Sequence, residues 1–314
     1  MARILTGSGV PTREYELNEF GLRLELTSRA ESVTVVRSLL TAVGWAAAID
    51  VEAMDDVRTA VSEACNNVVV HAYPDGEGAI VLSAAWDGRT LLAEVHDEGV
   101  GISHSNLGDE QTGLGLTLIT ALADRAEFAS AINSSGTIVR MLFDIGVRMG
   151  LTSATAPLSN PGELLRSYET DSIDQIRGDI VMWLTPLAML AGALRRLLRA
   201  VAGVSHFTVP GVTEITATSD AISTHASVTG REAWIGVGIR TAARRLNLTV
   251  APLLDETGRS TSADAANIAT SWDSLLSASD GVRYERGTGY DILRVQVVDR
   301  HREPKSASAP MEPA

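Results

Sequence analysis

Within SEACNNVVVHAY, residues Ser62 to Tyr73, an acid and an amide stand one helical turn apart: Glu63 and Asn67, with His71 a further turn on. On a helix, the pair shares one edge and points together into any cleft beside that edge. Such a pair suits phosphate chemistry. The amide oxygen of Asn67 can ligate a hard cation such as magnesium, and the carboxylate of Glu63 can take a proton from an attacking hydroxyl or water. By themselves the same residues also describe an ordinary helix with a solvated polar edge.

Two later segments bear on that choice. In HDEGVGI (His96 to Ile102), Asp97 can accept a hydrogen bond from an exocyclic amine such as that of adenine. Gly99 and Gly101 suit a ligand lying against bare backbone, although an Asx-and-glycine turn would look the same. In QTGLGL (Gln111 to Leu116), a polar stretch from Ser103 to Thr112 gives way to Gly113-Leu114-Gly115-Leu116, which opens the helical run LTLITALAD. A glycine-rich loop feeding a helix N-terminus presents free N–H groups and a positive dipole end to phosphate. In this order the three signals read as the walls of one nucleotide pocket.

The elements that must position these residues are also legible. Val57, Val61, Ala64 and Val68 recur at helical spacing and predict the buried stripe of the Glu63 helix. Ala79 to Trp86 and Thr90 to Val95 read as strands joined at the hairpin dipeptide Asp87-Gly88, the second running straight into Asp97. Upstream, Leu22 to Thr27 alternates as a half-exposed strand. Ser28 can cap a helix over Ser32 to Val43 that carries Val33, Val36, Leu39 and Leu40. Downstream, strands over Ala126 to Ile132 and Thr137 to Asp144 flank a turn at Asn133 to Gly136. The expected arrangement is helices over one mixed sheet.

At these residues the sequence resembles the GHKL ATPases, which include gyrase, histidine kinases and mismatch-repair ATPases. Glu63 and Asn67 match the N-box, Asp97-Glu98-Gly99-Val100-Gly101 the first glycine box, and Gly113-Leu114-Gly115-Leu116 the second. EACNNVVVHAY is more specifically similar to the corresponding helix of the bacterial anti-sigma-factor serine kinases. The resemblance covers about Leu22 to Asp144. It implies an α+β fold, a two-layer α/β sandwich of the GHKL type, binding ATP with magnesium. In that reading Glu63 is catalytic and Asn67 holds the metal. Asp97, Gly99, Gly101, Gly113, Leu114, Gly115, Leu116 and Thr137 line the nucleotide, Thr137 standing behind the adenine-binding acid.

A chain of 314 residues, 45% hydrophobic, is long enough for two domains with a core each. The net charge of −13 argues against nucleic acid and anionic membranes as partners and is compatible with a basic protein. The single cysteine, Cys65, excludes an internal disulfide and reads as a small buried residue in a cytoplasmic protein. No secretory signal is evident at the start. The longest apolar stretch, Ile180 to Leu194, is too short to span a bilayer. The domains expected are a tail over 1–20, an ATP-binding domain over 21–148, a Ser/Thr/Pro/Gly-rich linker over 149–165, a second domain over 166–300 and a tail over 301–314.

The second half repeats the punctuation of the first and predicts a tandem duplication. Ile176 to Leu184 can be laid on Leu22 to Ala30, Gly211 to His225 on the Glu63 helix, and Leu275 to Asp299 on Leu118 to Asp144. That alignment sets Ala217 and Ala221 opposite Glu63 and Asn67, with His225 opposite His71. It sets Thr257 and Arg259 opposite Gly99 and Gly101, and Thr270 and Trp272 around Gly113 and Gly115. Such a copy would have lost the chemistry and could act as a built-in second subunit, making a monomer that imitates the family dimer. Arg195, Arg196, Arg199, Arg244 and Arg245 read as solvated positions, and His71, His96 and His104 as ordinary polar residues.

The resemblance implies a regulatory kinase that phosphorylates a serine or threonine of an anti-sigma antagonist and otherwise sequesters a sigma factor. The alternative is an ATP-gated or non-catalytic interaction module. A sensor histidine kinase would need a dimerisation helix bearing a phosphoacceptor histidine ahead of Leu22. A gyrase or mismatch-repair type would need a transducer domain with a catalytic lysine, and the second half offers no obvious one.

Overall fold

The computed structural model describes residues 20–101, 110–130, 136–145, 175–230, 234–253, 262–287 and 290–301. The linker 149–165, both tails, His104 and the positions Thr257 and Arg259 lie outside these residues. Ten strands form one sheet: β1 (Phe20–Thr27), β2 (Ala79–Trp86), β3 (Thr90–Asp97), β4 (Arg125–Ser130), β5 (Thr137–Asp144), β6 (Ile180–Thr185), β7 (Ile235–Ala242), β8 (Arg245–Leu253), β9 (Gly281–Arg286) and β10 (Asp291–Val298). Among the described residues six α-helices lie against it: α1 (Ala30–Ala46), α2 (Val51–Asn67), α3 (Glu110–Leu122), α4 (Leu190–Val204), α5 (Val209–Thr229) and α6 (Ser262–Ala278).

The strands run in the order β4-β5-β3-β2-β1-β6-β7-β8-β10-β9. Read outward from the β1/β6 junction, both halves have the same order: first strand, second, third, last, penultimate. The helices mirror this, with contacts running α3 to α2 to α1, across to α4, then to α5 and α6. The halves meet along their first strands, where Leu24 of β1 pairs with Met182 of β6 in antiparallel register.

Every strand pairing is antiparallel, rather than the mixture expected from sequence. In the first half two consecutive helices lead from β1 back to the sheet end that β1 left, so β2 runs against it; α4 and α5 do the same between β6 and β7.

The core lies between sheet and helices. Leu22, Leu24, Val36, Leu39, Val57 and Val61 of the first half belong to one buried cluster with Met182, Leu184, Leu194, Leu198 and Ile222 of the second. The composition allowed a core for each half; the β1/β6 pairing instead joins them into one. A smaller cluster, including Ala85, Val181, Trp183 and Trp234, occupies the opposite sheet face near the junction.

Two local expectations change. Ser28 does not cap α1, whose N-cap is Arg29. Its hydroxyl instead accepts the Gly78 N–H at 2.9 Å, fastening the end of β1 to the start of β2. The hairpin forms as expected at Asp87-Gly88: Gly88 adopts φ +92°, and Asp87 Oδ1 accepts the N–H groups of Arg89 and Thr90.

Candidate functional site

Asp50 caps α2 by accepting the N–H groups of Glu52 and Ala53. The apolar stripe Val57, Val61, Ala64 and Val68 is buried, and Cys65 beside it is fully buried, its thiol pushed up to about 12 by desolvation. Glu63 and Asn67 sit half-buried at the edge of that face. After Asn67 the helix widens into a π turn over Val68–Ala72, leaving His71 exposed.

The π turn sets the position of the first glycine box. The carbonyl of Ala72 accepts the Val100 N–H at 2.9 Å, and a Cβ on Gly99 would collide with that same carbonyl. Tyr73 adds a second fastening: its hydroxyl accepts the Glu98 N–H at 3.0 Å and donates to the Ala79 carbonyl at 2.8 Å. Gly101 takes φ +79° and faces Gly136, which has φ +130° and no room for a Cβ against the Asp97 carbonyl. Neither Tyr73 nor Gly136 was picked out from sequence as a site residue. The available signals were a tyrosine closing the N-box segment and a glycine immediately before Thr137.

Asp97 ends β3 and is 3% exposed. Gly99 N–H donates to its Oδ1 at 2.8 Å, and the backbone and hydroxyl of Thr137 also bond to it. Burial pushes its carboxyl above the usual carboxylate range, against the pull of those donors. Thr137 itself is buried at the start of β5.

The second glycine box meets the N-box across the α2/α3 crossing. A Cβ on Gly115 would collide with Glu63 Oε1 and stand 3.3 Å from both side-chain heteroatoms of Asn67. α3 begins at Glu110, three residues before Gly113, so the glycines lie within the helix rather than ahead of it. The N–H groups left without helical partners are those of the first turn, ending at Gly113. Gly115 therefore serves as a close-packing position. Leu114 shares the helix, and Leu116 is half-buried.

The donor set fits a magnesium ion carried by a nucleotide. Asn67 offers one hard oxygen beside the Glu63 carboxylate, and no cluster of three His, Cys, Asp or Glu side chains occurs among the described residues. Magnesium keeps several waters and takes most other ligands from phosphate, so a single protein amide suffices.

In the second half, the equivalent helix crossing is filled by side chains. Counted from the first residues of α2 and α5, Val51 and Val209, Glu63 corresponds to Ala221 and Asn67 to His225. Counted back from Arg125 and Gly281, which open β4 and β9, Gly115 corresponds to Ser271. For Glu63 and Asn67 this lies one helical turn from the alignment made on sequence, which also laid Ile176 on Leu22 although β6 starts only at Ile180. His225 Nδ1 lies 2.7 Å from Ser271 Oγ. Ser271 donates to the Ile268 carbonyl, so it accepts from His225 Nδ1–H, leaving Nε2 to accept from the Tyr284 hydroxyl. Tyr284 stacks on Trp272 with ring centroids 5.0 Å apart.

The arginines of α4 line a groove of about 740 Å³ against α1, where the Arg196 guanidinium lies 5.8 Å from the ring centroid of the exposed Trp45. Arg195 pairs with Asp220 at 2.7 Å. Arg244 turns the β7–β8 hairpin and pairs with Asp299 at 3.1 Å. No helix among the described residues is long and apolar enough to cross a membrane.

The model of the histidine kinase-like ATPase domain matches residues 26–143. The chain is 32% identical over 137 residues to an anti-sigma F factor of Thermoanaerobacter sp. (strain X514), spanning 94% of that protein and 40% of this one. This chain belongs to the histidine kinase-like ATPases. Its likeness within that family is to anti-sigma factors and their kinases. It is also 28% identical over 165 residues to the serine-protein kinase RsbW of Bacillus cereus (strain AH820), covering 95% of that protein and 48% of this chain. A crystal structure of the RsbU and RsbW domains of Rv1364c from Mycobacterium tuberculosis aligns at 25% identity and TM-score 0.32, over 40% of this chain and 32% of that one. The family fold accounts for the two-layer arrangement around Glu63, Asp97 and Gly115.

Proposed function

We propose that the first half, over 21–148, binds one ATP with magnesium and transfers its γ-phosphoryl to a serine or threonine hydroxyl of an antagonist protein, in the cytoplasm. The observation that carries this reading is the meeting of Glu63 and Asn67 with Gly115, on a helix whose closing π turn holds the loop that follows the buried Asp97. Asp97 accepts the adenine amine, with Thr137 behind it. Gly99 lets the loop after Asp97 pack on the Ala72 carbonyl and Gly101 lets it pass Gly136, which shapes the wall beside the base, while the first turn of α3, ending at Gly113, presents its N–H groups to the phosphates. Asn67 would hold magnesium, whose charge offsets that developing on the transferred phosphoryl. Glu63 accepts the proton of the attacking hydroxyl. The new P–O bond forms as the bond from the γ-phosphorus to the β,γ-bridging oxygen breaks, and ADP leaves.

The second half, over 166–300 beyond the linker 149–165, is then a degenerate copy. His225 and Ser271 occupy the positions of the metal amide and the close-packing glycine, and their hydrogen bond fills the cleft. Its pairing with the first half through β1 and β6 supports the role of an internal second subunit in a monomeric chain. Sequestration of a sigma factor by the kinase rests on likeness to the anti-sigma factors.

Calorimetric titration of the intact chain with ATP and magnesium, repeated on Asn67→Ala, tests the reading. One nucleotide per chain, weakened by the substitution, is expected. Two per chain would overturn the degenerate copy, and none would make the protein an interaction module.

A further inference from the structure

The sheet has one face against the helices and one turned away, and the outward face differs in charge between the halves. On β1 to β5 the outward residues include Arg23, Arg125 and Arg140 against Glu25, Glu94, Glu127 and Asp144. These charges are paired, as in Arg23–Glu25 at 2.8 Å and Arg140–Glu94 at 2.6 Å. On β7 to β10 the outward positions carry Arg240, Arg245, Arg283 and Arg294, joined by Arg177 ahead of β6, and the acid among them is Glu285. Glu285 is shared by Arg283 at 3.1 Å and Arg294 at 2.8 Å, and its carboxyl is held below the usual range chiefly by Arg294. Arg240 and Arg245 have no ion pair among the described residues.

Strand register turns these residues into a grid. Arg240 lies opposite Asn247, Asn247 opposite Gln296, and Gln296 opposite Gly281; one row along, Thr249 faces Arg294 and Arg294 faces Arg283. Together with Arg177 they line a basin of about 860 Å³, opened further by the missing side chain at Gly281. Its rigidity comes from the strands beneath, and Arg294 is locked by a hydrogen bond to Thr249 Oγ1 at 2.6 Å.

We infer that this outward face of the second half is a docking surface for an acidic segment of a partner protein. Guanidinium forks match carboxylates in pairs, and the Asn247 and Gln296 amides supply groups suited to a peptide backbone. A strongly positive face on a chain of net charge −13 concentrates attraction there and repels acidic partners elsewhere. Charge complementarity selects the occupant, and the aromatic side chains decide its class. The nearby Trp183 and Trp234 are buried, and no aromatic ring is among the described residues lining the basin, so it has no platform on which nucleic-acid bases could stack. The inference does not depend on the nucleotide site.

The test uses the full chain and a fluorescent oligoglutamate, followed by anisotropy across a salt series, with a single-stranded oligoribonucleotide for comparison. The oligoglutamate is expected to bind at low salt, and R240E combined with R245E to weaken it about tenfold or more, leaving ATP stoichiometry unchanged. R196E combined with R199E, on the helical side, should leave it unaltered. Absence of oligoglutamate binding, equal losses in both double variants, or tighter binding of the oligoribonucleotide at Arg240 and Arg245 would each overturn the proposal.

Discussion

His225 Nδ1 stands 2.7 Å from Ser271 Oγ at the α5/α6 crossing, the place where, in the other half, Asn67 faces the bare Cα of Gly115. At one crossing the Glu63 and Asn67 side chains close on a glycine, and at the other two side chains meet in a buried hydrogen bond. Replacing His225 by Ala removes its hydrogen bonds to the buried Ser271 and the half-buried Tyr284 and leaves a cavity, and should lower unfolding stability by about 2–4 kcal/mol. Urea denaturation measures this, and the number of ATP molecules bound per chain should stay at one.

Glu63→Ala should retain ATP binding while phosphotransfer or hydrolysis falls about 10²- to 10⁴-fold, the usual contribution of a positioned general base. Single-turnover assays with radiolabelled ATP read the chemistry separately from binding. Unchanged turnover would remove Glu63 from that role.

Gly115→Ala places a methyl group against Glu63 Oε1 and Asn67. Because the obstructing groups are site side chains, the main loss should appear in nucleotide affinity and turnover. Gly99→Ala meets the rigid Ala72 carbonyl instead and should also cost about 1–3 kcal/mol of stability. Thermal melts of the two variants beside their ATP titrations distinguish these patterns.

Asp97 must be ionised to accept an amine hydrogen bond without carrying a competing proton, and its carboxyl titrates above the usual range because it is buried. As pH falls through that raised value the acceptor is lost, so ATP affinity should decline at a higher pH than an exposed aspartate would dictate. ATP titrations repeated at successively lower pH show the decline; in Asp97→Asn the affinity should be low throughout and nearly flat with pH.

Asp299 behaves in the opposite way. Desolvation raises its pKa, but the Thr208 and His301 N–H groups, Arg244 and the Thr208 hydroxyl together draw it down to about 2 from the ordinary 3.8. The stability it contributes is complete above the unfolded value and is lost as pH falls through about 2. The gap in denaturation midpoint between the wild type and Asp299→Asn should therefore shrink steadily below about pH 4. A gap constant with pH would show that Asp299 acts through packing alone.

The elements that carry Glu63, Asn67 and Asp97 were legible in sequence because they rest on local patterns. The spacing of Glu63 and Asn67 follows from helical period, the Asp87-Gly88 turn from backbone preference, and Gly99 and Gly101 from the need for bare backbone. The π turn after Asn67 was not legible, since its width is set by contact of Ala72 with the Gly99 and Val100 backbone. The role of Gly115 also depended on a second helix, which starts at Glu110, just after Asp109, and not at the glycines where the sequence reading opened it.

The sequence by itself determined the family of the first half and the local elements that carry Glu63, Asn67 and Asp97. Only the tertiary structure decided how the halves join and what the second one presents. Pairing of β1 with β6 links residues more than a hundred positions apart, and a helix registered one turn differently exchanges Ala221 for His225 opposite Asn67. Charge shows the same limit: a net −13 sums over the chain, whereas strand alternation sorts Arg240, Arg245, Arg283 and Arg294 onto one face.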